Sequence, residues 1–139
     1  PILSQLSYNF TDPIPGLKLD ENMGRVCGCL LTDVMEKIPK GEIIPIEQNH
    51  AEATFCTKIT KDMGQVTLNP KNSPIGQEAF LIYRKFCAFD GWPGIFFFHK
   101  DIRIKITDCH ALNDSHSPLL ISHIIPEGKK EMEWNQYFK

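Results

Sequence analysis

Apolar and polar residues along the chain repeat first with a period of two. Leu6, Tyr8 and Phe10 alternate with Ser7 and Asn9, which predicts a half-buried strand over residues 2 to 10. Thr11-Asp12-Pro13-Ile14-Pro15-Gly16 then denies any regular element. Beyond it Met23, Val26, Cys27, Leu30, Leu31, Val34 and Ile38 recur at spacings of three and four. That stripe predicts an amphipathic helix, with Asp20 as N-cap, Glu21 in its first turn, and Pro39 and Gly41 ending it. One strand and one helix cannot bury such a stripe between them, so a sheet preceding Pro1 is expected to complete it. A chain that opens inside a strand is expected to be cut or processed.

Residues 42 to 62 lack a firm period and contain Pro45, and are read as an extended linker with a domain boundary near residues 45 to 55. Gly64 to Leu68 suggests a short strand, and Asn69-Pro70-Lys71-Asn72 a turn. Ser73 is expected to cap a second helix with Pro74 at its first position. Ile75, Ala79, Ile82, Phe86 and Phe89 form that helix's buried stripe, with Arg84 and Lys85 pointing elsewhere. From Phe86 to Phe98 six aromatic side chains fall in thirteen positions, carried through Trp92-Pro93-Gly94 from helix to strand. So much aromatic area needs a core on both sides of the turn, and Trp92 is expected to fill part of its wall.

Ile95 to His99 and Ile102 to Thr107 predict a hairpin about Lys100-Asp101. In its second strand Ile102, Ile104 and Ile106 should face inward, and Arg103, Lys105 and Thr107 outward. A polar loop over 113 to 118, a strand over 119 to 125 and a basic turn at Glu127-Gly128-Lys129-Lys130 follow. A last helical turn lies within 131 to 138, anchored by Trp134, Tyr137 or Phe138. The order points to a small mixed barrel or sheet; periodicity alone does not separate an OB-like barrel from other α+β layouts.

Composition adds limits. At 139 residues, 42% hydrophobic and 23% charged, the chain has the make-up of a soluble globular protein, and no apolar run reaches membrane-spanning length. A cytoplasmic protein is expected. Cys27, Cys29, Cys56, Cys87 and Cys109 are odd in number and lack CxxC spacing, which favours reduced thiols. The net charge of -2 conceals an asymmetry: residues 1 to 50 carry four Lys/Arg against seven Asp/Glu, and residues 51 to 139 eleven against ten. A nucleic-acid footprint would therefore come from placing charges on one face, not from an excess of them.

No phosphate loop, nucleophile elbow or zinc-protease motif is present. Cys109-His110 with His116 is read as an incidental cluster, and Cys27 and Cys29, two apart on a helix, diverge too far to share a metal. Glu131 and Glu133 read as a solvated face. No nucleophile has an attendant base, so no catalytic, cofactor-binding or metal-ligating residue is assigned. What remains is positive charge: Lys58 and Lys61 in the linker, Arg103 and Lys105 on one strand face, Lys129 and Lys130 in a turn. Such residues suit a phosphate backbone, or they serve only solubility.

Three stretches carry a resemblance. Glu52-Ala53-Thr54-Phe55-Cys56-Thr57-Lys58-Ile59-Thr60-Lys61-Asp62-Met63-Gly64 resembles the linker and first barrel segment of the methionyl-tRNA formyltransferase family. Ala88-Phe89-Asp90-Gly91-Trp92-Pro93-Gly94 is similar to its AF-x-x-WPG turn, and Ile125-Pro126-Glu127-Gly128-Lys129-Lys130-Glu131-Met132 to its closing PEGKK-x-M. Residues 42 to 139 match throughout, and 1 to 41 more loosely.

The resemblance implies an α+β layout: residues 1-44 as the end of a Rossmann-like formyltransferase domain (strand plus helix), 45-62 as linker, and 63-139 as a small OB-like β-barrel with one helix. It implies a full-length enzyme that moves a formyl group from 10-formyltetrahydrofolate to the methionine amino group of initiator methionyl-tRNA. The family's catalytic Asn, His and Asp would lie before Pro1, leaving this segment inactive by itself, without a cofactor of its own and in contact with tRNA; separately, a monomer is expected. The tRNA-binding residues implied are Lys58, Lys61, Lys105, Lys129 and Lys130. Two departures stand out. Phe86-Cys87-Ala88-Phe89 replaces Ile-Arg-Ala-Phe, so an Arg contact is either lost or moved to Arg84 or Lys85. The stretch from Asn113 to Leu119 is shorter by about a hairpin, which implies either a reduced barrel with an exposed edge or a chain from which a segment is not represented. The competing identities are a sugar-nucleotide N-formyltransferase and a standalone OB-like binding module.

Overall fold

A computed structural model describes residues 1–139 and divides them into two units. The first takes in Pro1–Asp12 and Leu17–Lys58; the second Pro13–Gly16 and Ile59–Lys139.

In the first unit the expected helix is present but begins earlier. Helix α1 spans Gly16–Lys37, starting directly after Pro15 and placing Asp20 inside its first turns instead of at its cap. Glu21 and Asp33 instead form ion pairs one turn on, with Arg25 and with Lys37, the latter at 2.8 Å. The helix tightens into a single 3-10 turn, Ile38–Lys40, and stops where the left-handed Gly41 donates its N–H to the Ile38 carbonyl at 3.1 Å. Of the stripe, Val34 is buried and Met23, Val26 and Leu30 are half-buried, whereas Cys27, Leu31 and Ile38 are exposed.

The strand expected over 2 to 10 shrinks to one antiparallel bridge, Ile2 with Ile46, closed by backbone bonds of 2.7 and 2.9 Å. A strand persists only while a neighbour takes its N–H and C=O groups, and no second residue beside Ile46 does so. From Ile44 to Thr60 every residue is exposed, with one 3-10 turn, His50–Glu52, capped by the Asn49 side chain.

The second unit is built on helix α2, Gly76–Ala88, and four strands: β1 Ile95–His99, β2 Ile102–His110, β3 Leu120–Pro126 and β4 Met132–Glu133. The strands pair antiparallel in sequence order, so the sheet is a meander with β1 and β4 at its edges. Lys100 and Asp101 join β1 to β2 with φ of 49° and 63°, the mirror-image turn whose twist suits a two-residue hairpin. A register shift between Ile106 and Cys109 kinks β2 against β3. A final turn α3, Trp134–Tyr137, closes the chain over the sheet.

The core lies between α2 and one sheet face. Ala79 and Ile82 from the helix meet Ile95, Phe97, Ile104, Ile106 and Ile124 from the strands. Trp134 and Phe138 cover Phe97 with ring centres 6.0 and 6.3 Å away. All three proposed C-terminal anchors, Trp134, Tyr137 and Phe138, pack against this core.

Four expectations change here. Ser73 does not cap α2: Ile75 stands at the N-cap, and the Ser73 hydroxyl donates to the Leu119 carbonyl at 2.8 Å, tying the helix approach to the start of β3. Ile75 is itself 59% exposed, lying outside the helix stripe it was counted in. The strand over 64 to 68 is a single parallel bridge, Gln65 with Phe96, because the 3-10 turn Lys61–Gly64 and the Asn69 turn leave no length to extend it. Trp92 is 54% exposed; Pro93, next to it, is the buried member of that turn.

The polar loop over 113 to 118 braces itself. Asp114 accepts from the N–H groups of His116 and Ser117 at 2.8 and 2.6 Å and from the Ser117 hydroxyl, which holds its carboxyl below the usual carboxylate range. At the far end of the loop the Ser117 carbonyl accepts from the Gly76 N–H at 2.8 Å.

The five cysteines are free thiols of two kinds. Cys27, Cys29 and Cys56 are exposed; Cys87 and Cys109 are buried, and burial pushes the Cys109 thiol up to about 12 and the Cys87 thiol upward as well. The thiolate is the reacting species. Native chain treated with iodoacetamide near neutral pH should therefore gain three adducts quickly by intact mass, the last two appearing only in denaturant. Five fast adducts would place Cys87 and Cys109 outside the core.

Candidate nucleic-acid interface

Alternation along β2 turns Ile104 and Ile106 into the core and sends Arg103 and Lys105 to the opposite face. There they meet β1 residues of matching parity. Lys105 is paired with Phe96 and Arg103 with Phe98. The Arg103 guanidinium lies 4.0 Å from the centre of the Phe96 ring, and the Phe96 and Phe98 rings stand edge to face at 5.8 Å. Phe96 is 4% exposed and Phe98 51%.

Lys105 is half-buried because its stem crosses the Gly94 backbone: a Cβ on Gly94 would sit 2.7 Å from the Lys105 Cε. Gly94 has φ of +72°, the left-handed conformation that favours glycine. The Trp92-Pro93-Gly94 turn and Lys105 thus position each other, the polar end of the side chain staying at a small cleft of about 130 Å³ that Asp90, Phe89 and Thr107 also line. The Thr107 hydroxyl is buried there without a hydrogen-bond partner.

The face changes sign along its length. Arg103 and Lys105 stand toward the hairpin turn. At the other end Asp108 pairs with His123 at 3.5 Å and Glu133 lies opposite His123. The closing turn returns to the basic end, the Glu127 N–H donating to the Arg103 carbonyl at 2.9 Å.

The lysines implied by the resemblance are distributed as follows. Lys105 shares its face with Arg103. Lys130 is exposed in the closing turn, beside the same end of β2. Lys129 leans the other way, its Nζ 5.1 Å from the centre of the Tyr137 ring on the core side of the sheet. Lys61 opens the 3-10 turn Lys61–Gly64 and is exposed. Lys58 is exposed and belongs to the first unit. Of the two substitutes considered for the missing Arg, Lys85 is engaged structurally, donating to the Gln65 carbonyl at 2.8 Å, whereas Arg84 is exposed.

Arg103 and Phe98 also belong to this face, beyond the lysines that the resemblance implies. The signal for Phe98 was the period-two alternation itself: if Phe97 points inward, Phe96 and Phe98 cannot. A concavity of about 500 Å³ along β3 is lined by Asn69, Ser73, His123, Glu133, Trp134 and Asn135 among others, with no Lys or Arg.

No group of three or more His, Cys, Asp or Glu side chains is placed to hold a metal ion, and no helix is long and apolar enough to cross a membrane.

No protein-family model matches the chain. Individual relatives do. Methionyl-tRNA formyltransferase of Treponema pallidum (strain Nichols) is 33% identical over 94 residues, which are 68% of this chain and 27% of the relative. That of Thermus thermophilus is 29% identical over 99 residues, 71% of this chain and 29% of the relative. The Finegoldia magna enzyme is 42% identical over 67 residues, 48% of this chain and 18% of the relative. The chain thus spans well under a third of the length of these relatives. Over its C-terminal portion it is homologous to the methionyl-tRNA formyltransferases.

Proposed function

We propose that this chain is the tRNA-holding part of a methionyl-tRNA formyltransferase. In that reading residues 1-44 correspond to the end of a Rossmann-like formyltransferase domain, 45-62 to a linker and 63-139 to an OB-like domain. The full-length enzyme transfers the formyl group of 10-formyltetrahydrofolate to the methionine amino group of initiator methionyl-tRNA in the cytoplasm. In this reading the Asn, His and Asp that perform the transfer are not part of this chain, which acts as a monomeric tRNA-binding segment and does not formylate by itself.

The observation that carries this reading is the likeness to several methionyl-tRNA formyltransferases over the same C-terminal portion that bears the basic residues. Binding draws on Lys58, Lys61, Lys105, Lys129 and Lys130, with Arg103 added. Cations of this kind act through the phosphate backbone by releasing counterions, so they set affinity and its salt dependence without reading sequence.

The test is tRNA binding by fluorescence anisotropy over a range of salt concentrations. Lys58→Glu with Lys61→Glu should weaken binding and lower the slope of log K against log salt by about 0.7 to 0.9 for each phosphate no longer neutralised. An unchanged slope would reduce these lysines to solubilising residues.

A further inference from the structure

The outward face of the β1–β2 hairpin holds a feature that phosphate binding does not need. Phe98 is 51% exposed in the middle of a strand, on the face that carries Arg103 and Lys105, with Lys100 in the adjoining turn. We propose that Phe98 and Arg103 form a stacking platform for one unpaired base of a bound RNA, whose flanking phosphates are held by the neighbouring cations. This rests on the tRNA-binding reading above and adds to it a contact with a base.

The geometry supplies three reasons. First, Phe98 is braced: the Phe96 ring meets it edge to face at 5.8 Å and is itself only 4% exposed, so Phe98 is the ring of the pair that a ligand reaches. Second, the Arg103 guanidinium lies 4.0 Å from the Phe96 ring centre, directly across the strand pair from Phe98. A guanidinium held on a ring keeps its N–H edge available for phosphate while its position is fixed. Third, the surroundings are cationic. Between His99 and Thr107 the charged side chains are Lys100, Arg103 and Lys105 against Asp101 alone, and Lys130 stands in the turn bonded to Arg103.

One half-exposed ring among cations is too small an apolar area for a stable protein partner and is not an extended patch. It is the combination that binds single-stranded nucleic acid: a π-face to stack on and charges to track the backbone. A duplex covers its base faces by stacking, so only an unpaired nucleotide can use the ring.

The experiment compares the 139-residue chain with Phe98→Ala and Phe98→Trp on two probes: a single-stranded RNA oligonucleotide bearing 2-aminopurine, and a blunt RNA duplex of the same sequence. Because the ring is half-exposed, neither variant should unfold, which circular dichroism checks. The parent chain should quench 2-aminopurine on binding. Phe98→Ala should lose the quench and bind the single strand on the order of tenfold more weakly, within the range a single base stack commands. Its duplex affinity and salt slope should stay at the parent's values, and Phe98→Trp should restore both quench and affinity. Undiminished single-strand binding by Phe98→Ala, or equal losses on both probes, would overturn the platform while leaving the tRNA reading in place. Failure of the parent chain to bind either RNA would overturn both.

Discussion

Phe97→Ala should lower the stability of the second unit by about 3–5 kcal/mol, the range for emptying a well-packed aromatic site. Phe97 is 1% exposed, stands between Ile95 and the hairpin turn in the central apolar layer, and carries Trp134 and Phe138 on its ring. Removing it strips area from all of them, and a rigid sheet with α2 behind it cannot collapse into the gap. Urea unfolding followed by far-ultraviolet circular dichroism gives the loss directly. The informative comparison is Trp92→Ala. Trp92 is 54% exposed, so its truncation should cost less than about 1 kcal/mol, as surface changes usually do. Equal losses would mean that the ring at 92, not the one at 97, closes the core.

Gly64→Ala should also destabilise this unit, by about 1–3 kcal/mol, the usual cost of forcing volume into a packed site. A Cβ at Gly64 would sit 2.2 Å from the Gly94 carbonyl oxygen, and 3.5 Å from Pro93. The oxygen is the obstacle, and it belongs to backbone that enters β1 at the next residue; the Pro93 distance is an ordinary van der Waals contact. Relief would require moving the 3-10 turn Lys61–Gly64 away from the sheet, which breaks the bond from the Val66 N–H to the Phe96 carbonyl, now 2.8 Å. Gly28→Ala is the control: nothing lies within 4 Å of its Cβ position in the middle of α1. That change should be neutral or should stabilise by up to about 1 kcal/mol through helix propensity. Matching unfolding midpoints for Gly64→Ala and the parent chain would show that the two backbones are not in contact.

The sequence was most informative where two local signals agreed. Helix α2 combined a three- and four-residue stripe with a proline before it and a glycine turn after it, and β1–β2 combined alternation with a two-residue turn. The helix lies within the expected stretch but starts two residues later, at Gly76, and the hairpin turns at Lys100-Asp101 as expected, with β2 running on to His110. It was least informative where an element depends on residues far along the chain. The alternation at Leu6, Tyr8 and Phe10 is a genuine strand pattern, but pairing beyond Ile2 needs a neighbour that composition cannot reveal. Ser73 carries the chemistry of a cap, yet the Leu119 carbonyl, forty-six residues away and just before β3, takes its hydroxyl. Strand β4 is two residues long, too short for any period to show.

For the candidate interface, residue type was legible and direction only partly so. The face of Lys105 followed from strand parity. Lys129 sits in a turn, where parity says nothing, and it is drawn across the sheet edge to the Tyr137 ring. Lys85 resembles a free cation on a helix, but the Gln65 carbonyl, twenty residues earlier in the chain, claims it. Such contacts are decided by tertiary proximity and leave no trace in spacing.

The sequence-ordered meander of β1 to β4 also bears on how this unit assembles. Each strand pairs with its immediate successor, across a two-residue turn, then nine residues, then five, so every pairing is local in the chain and the first closure is the shortest. Such a sheet is expected to form outward from its first hairpin, where the closure is shortest. Hydrogen exchange during refolding should accordingly protect the amides of Phe97 and Ile104 before those of Met132.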